Sequence, residues 1–377
     1  NDQVYVNLFI GGKATIRTTV GELEMVQKTR YPWDGQVDIQ VTPHSAAGFT
    51  MKIRIPGWAR GEVIPSDLYT FTTNTKDRIP ISVNGDPVDY TMDHGYATIT
   101  RRWESGDRIS IEFPMEPRFV RAHPSLLDDA GKLSIERGPL VYCLEGQDQP
   151  DEHVINCMVP VENTLESHWN PSLLNGVVTV SLEGAVVRQE KDQSLSINRI
   201  PLLAIPYYAW ANRERNFMAI WMSEDMEHTT PMPAPSIASA SKVQCSAAIR
   251  NLDAIHDQYL PEHANDHTNP YLHFWPRFGT EEWVQYDFSE PSKISSSRVY
   301  WFDDGPDGGC RIPASWRLQY LKGDKWKDIK PKGNYPVSKD AWDEVQFKPV
   351  STTALRLILI AQPGVSTGIH EWEVQQP

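Results

Sequence analysis

The most regular feature of the chain is a hydrophobic period of two. Phe49, Met51, Ile53 and Ile55 alternate with Thr50, Lys52 and Arg54 and stop at Pro56-Gly57. That pattern predicts a strand with one face on a core and the other in water. Ile109, Ile111 and Phe113 alternate with Ser110 and Glu112, and Val178, Val180 and Leu182 with Thr179 and Ser181. Leu355, Leu357 and Leu359 repeat it near the C-terminus. Turn signals separate these runs at Asn84-Gly85-Asp86, Glu104-Ser105-Gly106-Asp107 and Lys322-Gly323-Asp324; the last predicts a hairpin joining Trp316–Leu321 to Trp326–Ile329. No stretch of about a dozen residues sustains the three- and four-residue apolar spacing of a helix. The expected fold class is all-β, built of β-sandwiches or jelly rolls.

Punctuation divides the chain. Pro231, Pro233 and Pro235 fall within five residues, which favours an extended, semi-rigid linker over 225–236. The 377 residues are enough for two or three domains, and the long first part divides near Pro114–Pro117, where a strand ends. Asn1 opens the chain almost directly on the apolar run Val4–Ile10, without a basic segment or signal core, so it reads as a segment of a longer polypeptide.

Composition narrows the function. The formal net charge of −13 argues against nucleic acid as partner, because phosphates are held by clustered Lys and Arg. No apolar run reaches the ~18 residues of a membrane span. Cys143, Cys157, Cys245 and Cys310 are too far apart for a C-x-x-C motif; Cys143 and Cys157 are either a disulfide or buried thiols. G-x-S-x-G, Walker, dinucleotide and H-E-x-x-H motifs are all missing.

Two weak metal candidates remain. His256, His263, His267 and His273 cluster in sequence, but Pro261 and Pro270 leave little room for the helix that would align them, and solvated loop histidines are the plainer reading. Asp303-Asp304-Gly305-Pro306-Asp307-Gly308-Gly309 fails the spacing of an EF-hand and reads as an acidic turn or a ligand loop. Among 49 acids no pair stands out as the two carboxylates of glycoside cleavage. Interleaved aromatics are a better signal. Trp275, Arg277, Trp301, Asp303, Asp304 and Arg311 combine indole faces with polar groups, the chemistry that receives the C–H face and hydroxyl rim of a sugar. They are the candidate carbohydrate-binding residues, with core aromatics as the alternative.

Several ordered segments resemble glycoside hydrolase family 127, the β-L-arabinofuranosidase-like enzymes. They are Tyr5-Val6-Asn7-Leu8-Phe9-Ile10-Gly11, Tyr31-Pro32-Trp33-Asp34-Gly35, Arg54-Ile55-Pro56-Gly57-Trp58, Glu136-Arg137-Gly138-Pro139-Leu140-Val141-Tyr142 and Ile205–Arg213. The resemblance implies a back half: two β-sandwiches that follow an (α/α)6 catalytic barrel with a zinc-bound cysteine nucleophile. The adjacent cysteines of that barrel do not occur here, so no catalytic residue carries over and catalytic zinc belongs to the barrel. It further implies that the second sandwich, 117–200, is inserted into the first, made of 1–116 with 201–224. Partners would be carbohydrate and the barrel of the full-length protein, and the compartment periplasmic or secreted.

Residues 237–377 resemble a discoidin-type, galactose-binding-like jelly roll through Gly279–Phe288, Val299–Asp304, Pro313–Leu318 and Gly368–Val374. Such modules hold sugars at end loops and a structural calcium near the termini. Asp257 and Glu371 match the calcium ligands, and the usual Asp-Gly pair reads Asp257-Gln258 here. Three readings compete: accessory domains of a hydrolase acting on arabinose-containing or pectic glycans, a stand-alone carbohydrate-binding protein, and an enzyme complete within these residues.

Overall fold

The computed structural model describes residues 3–73, 78–149, 154–190, 192–213, 216–249 and 251–377. The alternating runs are strands, and helical structure among the described residues is confined to single 3-10 turns. Two compact units divide between Met232 and Pro233.

The first unit begins as a sandwich. One sheet orders strands Gln3–Val6, Ala47–Arg54, Tyr96–Trp103 and Thr91–Asp93, and the other runs from Gly12–Thr18 to Asp86–Pro87 through Gly21–Thr29, Gln36–Pro43, Asp107–Glu112 and Ile81–Val83. Inward residues of both sheets, among them Met51, Ile53, Ile39, Val41 and Ile109, share one core. Trp103 closes it, its Nε1 donating to the Phe49 carbonyl at 3.1 Å. Each buried Leu, Ile or Met adds ~1.5–3 kcal/mol relative to exposure, so the period-two face is what specifies the register.

From Pro117 onward the strands form a different sheet, which closes on itself. Lys132–Arg137 pairs with Leu140–Glu145, which pairs with Leu195–Pro206, and that strand with Val177–Gln189. Cys157–Met158 and Met222–Ser223 then lead back to Lys132–Arg137. Residues 201–224, expected to return to the first sandwich, therefore pair with strands of residues 132–189. The reason is length: Leu195–Pro206 is a single strand hydrogen-bonded along Val177–Gln189 from Val180↔Ala204 to Gln189↔Leu195, and dividing it would strand that ladder. The crossover runs the other way, since Tyr69–Phe71 leaves the first segment to pair with Pro117–Ala122. Cys143 and Cys157 are buried thiols, not a disulfide. Part of the proline-rich segment is also fixed, because Met232 exchanges hydrogen bonds with Val187 and Gln189 at 3.0 and 2.7 Å.

The second unit is one seven-stranded sheet wrapped around its own core. Two long strands, Glu281–Phe302 and Trp342–Ile360, pair along most of their length with register shifts after Asp287 and Ile294; such bulges bend a strand so that its halves serve different parts of the core. The predicted hairpin is present as Ser315–Lys322 and Lys325–Asp328, with Leu321 opposite Trp326.

Candidate functional site

The loop between Glu281–Phe302 and Ser315–Lys322 is held from within. Asp303 is buried, receives the Gly305 and Ile312 backbone N–H groups at 3.0 and 3.1 Å, and pairs with Lys339 at 2.9 Å. Burial alone would raise its pKa; Lys339 and the two N–H groups outweigh that and hold it below the usual carboxylate range. Asp304 accepts the Cys310 N–H at 2.7 Å. Arg311 turns its guanidinium onto the loop's own carbonyls, Cys310 at 2.6 Å, Gly308 at 3.0 Å and Pro306 at 3.2 Å. The glycines let side chains approach the loop backbone closely. A Cβ on Gly305 would lie 2.6 Å from the Arg311 guanidinium carbon, one on Gly308 2.0 Å from the Asp304 carboxyl carbon, and one on Gly309 2.8 Å from the Trp275 ring.

Trp275 is therefore a seated platform. Its ring rests on Gly309 while the side chain stays 56% exposed. It stands at a cleft of about 280 Å3 together with Tyr271, His273, Phe302, Asp304 and Cys310. Tyr271 stacks on Phe302 at 3.8 Å and shares a hydrogen bond with His267 through its hydroxyl at 3.0 Å. His273 Nδ1 is buried and has no hydrogen-bond partner. Burial lowers the His273 pKa against the opposing pull of Asp304, leaving a neutral ring that can donate and accept. An indole face beside a carboxylate, a phenol and an imidazole suits one sugar ring, in a volume just below the ~300–1,000 Å3 typical of small-ligand sites.

The six predicted residues do not converge. Trp275 and Asp304 line the cleft. Trp301 is 1% exposed and lies in the core, its Nε1 donating to Asp343 Oδ2 at 2.5 Å, so its assignment as a sugar platform is corrected: no face is open to a ligand. Asp303 and Arg311 build the loop, and Arg277 is bound through Nε to the buried Glu282; none of the three lines the cleft. Tyr271 and Phe302 were missed, and His273 was read only as part of the histidine cluster. The other three histidines disperse. His256 bonds the Ala238 carbonyl at 2.7 Å, His263 is exposed, and among the described residues no group of three or more His, Cys, Asp or Glu side chains gathers as a metal site.

Asp257 and Glu371 do meet. Asp257 Oδ1 accepts the Tyr259 N–H at 2.9 Å and Glu371 Oε2 the Gln258 N–H at 3.2 Å. Their other oxygens, Asp257 Oδ2 and Glu371 Oε1, are buried without partners. Burial raises Asp257 to about 8, and burial together with the Asp257 charge raises Glu371 to about 10. Gln258 holds φ at 67°, the left-handed conformation glycine favours, so the turn survives the departure from Asp-Gly. Two orphaned hard oxygens fit a calcium ion, with backbone carbonyls or water completing the shell.

Comparison with known proteins places the first unit. Residues 3–115 match the model of the β-L-arabinofuranosidase GH127 middle domain, and residues 117–223 that of the glycoside hydrolase family 127 C-terminal domain. The non-reducing end β-L-arabinofuranosidase of Bifidobacterium longum subsp. longum is 30% identical over 215 residues, covering 53% of this chain and 30% of that enzyme. Among solved structures, a GH127 β-arabinofuranosidase superposes with a TM-score of 0.59 at 36% identity, covering 62% of this chain and 36% of its own. A GH127 β-L-arabinofuranosidase from Geobacillus stearothermophilus gives 0.52 at 34% identity, covering 59% of this chain and 34% of its own. The chain spans about a third of the length of these relatives. It belongs to glycoside hydrolase family 127, of which it carries the middle and C-terminal domains.

Proposed function

We propose that this chain is the accessory β-region of a glycoside hydrolase acting on arabinose-containing or pectic plant glycans, and that its second unit is a galactose-binding-like module that holds those glycans. The observation that carries the binding role is Trp275, an exposed indole seated on Gly309 at a cleft whose other groups are an imidazole, a phenol and a carboxylate. Stacking of a sugar C–H face on the free side of the ring, with hydroxyls bonded to Asp304 and His273, accounts for that combination. The family membership and the relatives' names support the hydrolase context, with the first unit packing on a catalytic barrel and supporting it. Polymeric plant glycans as substrate go with a periplasmic or secreted enzyme. Asp257 and Glu371, each with a buried oxygen free of protein partners, would hold a structural calcium.

Affinity electrophoresis through gels containing arabinan or galactan tests the reading. The chain is expected to be retarded, and Trp275→Ala to be retarded measurably less, with its circular dichroism unchanged. Migration unaffected by any of the polysaccharides, or retardation that survives Trp275→Ala intact, overturns the assignment of this cleft.

A further inference from the structure

The first unit contains a second exposed tryptophan built like the first. Trp169 is 52% exposed, and a Cβ on Gly176 would lie 2.8 Å from its ring, so glycine seats this indole as Gly309 seats Trp275. Trp33 meets it edge-on at 5.7 Å, and Tyr208 lies 6.4 Å from Trp33. Tyr208 is exposed yet fixed. It sits on the single turn Tyr207–Ala209, followed by Ala211 at φ 58°, a conformation that persists only where surroundings impose it. The imposing group is Glu145, fully buried, which accepts the Ala211 N–H at 3.2 Å and pairs with Arg213.

This aromatic wall continues into a cleft. Ser167 and Trp169 share one face of strand Glu166–Asn170, and Ser167 lines a cavity of about 810 Å3. Arg137 and Asp34 line the same cavity, and Arg137 Nη2 donates to the Trp33 carbonyl at 3.2 Å. Arg137 is 7% exposed, and its Nε is buried without a partner. Phe113, Met115 and Leu165 supply apolar surface, and Glu112 and Glu116 further carboxylates.

We propose that the Trp33–Trp169–Tyr208 wall and this cleft form a second carbohydrate-binding site, for a neutral oligosaccharide, independent of the Trp275 cleft. Rigid aromatic faces bordering a concave, mixed polar surface are what a glycan chain needs. A flat apolar surface, as a protein partner prefers at its centre, is not what borders the wall. The cavity has nearly three times the volume of the Trp275 cleft, which suits several linked sugars over one. Its lining carries three carboxylates, Asp34, Glu112 and Glu116, against two guanidiniums, Arg78 and Arg137, a net negative balance that disfavours a uronate chain.

Calorimetric titration of the full chain with short neutral arabino- and galacto-oligosaccharides tests this. The W275A variant is expected to retain one site per chain, and adding W169A to weaken that site at least about tenfold. Trp169→Phe in the same background keeps an aromatic face and is expected to restore most of the affinity, which separates platform loss from misfolding. Binding abolished by W275A alone overturns this second site while sparing the first. Binding that survives W275A unchanged but is lost in W169A supports the second site and removes the first. W169A without effect in the W275A background, with circular dichroism unchanged, overturns the proposal.

Discussion

The calcium site proposed at Asp257 and Glu371 predicts that the stability of the second unit depends on pH and on calcium together. Both carboxyls have folded-state pKa values raised, to about 8 and about 10, above an unfolded value near 4. The folded chain therefore binds more protons than the unfolded chain between those limits, and stability contributed by the pair is fully present below about pH 4 and is lost as pH rises through about 8 and about 10. Without a cation the pair's contribution falls steadily above about pH 4, by ~1.4 kcal/mol per pH unit for each carboxyl, because the unfolded carboxyls ionise while the folded ones stay protonated. Calcium at a hundred times its Kd offsets ~2.7 kcal/mol. For a unit spanning Pro233–Pro377, roughly 4 °C of Tm per kcal/mol converts this to roughly 10 °C. Scanning calorimetry with calcium or chelator, at about pH 5 and about pH 8, reads the effect against Glu371→Gln, which keeps an acceptor for the Gln258 N–H. The wild type is expected to gain from calcium mainly at the higher pH, and the variant to lose both the gain and much of the pH slope. Equal Tm with calcium and chelator, and parallel pH profiles for the two proteins, would refute the pairing of these carboxylates as a cation site.

Trp301→Ala is expected to destabilise the second unit by ~3–5 kcal/mol, because it empties a core position and removes the N–H donor to Asp343, whereas Trp275→Ala stays within ~0.5 kcal/mol as an exposed substitution; denaturant titration of both variants makes the comparison. Gly309→Ala pushes a methyl against the Trp275 ring, so glycan retention falls while Tm changes little, as affinity electrophoresis and thermal melting together will show. Arg213→Ala leaves Glu145 buried and uncompensated, at a cost of ~3–5 kcal/mol, read by denaturant unfolding of the first unit.

Strand placement was legible because alternation has a single physical cause. Phe49, Met51, Ile53 and Ile55 are all buried, and so are Val178, Val180 and Leu182, since each such face must find a core. Which strand pairs with which was not legible: Leu195–Pro206 carries exposed Leu195 and Ile197 at one end and buried Leu202, Ala204 and Ile205 at the other, and its partners follow from the ladder. The tryptophans show the same limit. Trp301 belongs to Val299-Tyr300-Trp301-Phe302, an unbroken apolar run buried on both faces, and that run was the available signal for a core position. Trp275 stands between Phe274 and Pro276 outside any strand, where a ring is free to face solvent. The glycines beneath Trp275 and Trp169 carry no such mark, because a residue defined by what it leaves room for is visible only once the chain is folded.

The binding role proposed above rests first on the Trp275 cleft holding carbohydrate. Titrating wild type and W275A with one neutral plant oligosaccharide, while following the intrinsic fluorescence of the indoles, addresses it most directly. A saturable change is expected in the wild type, with a Trp275 component that disappears in the variant and leaves only the response of the first unit. Identical titration curves for the two proteins would contradict it.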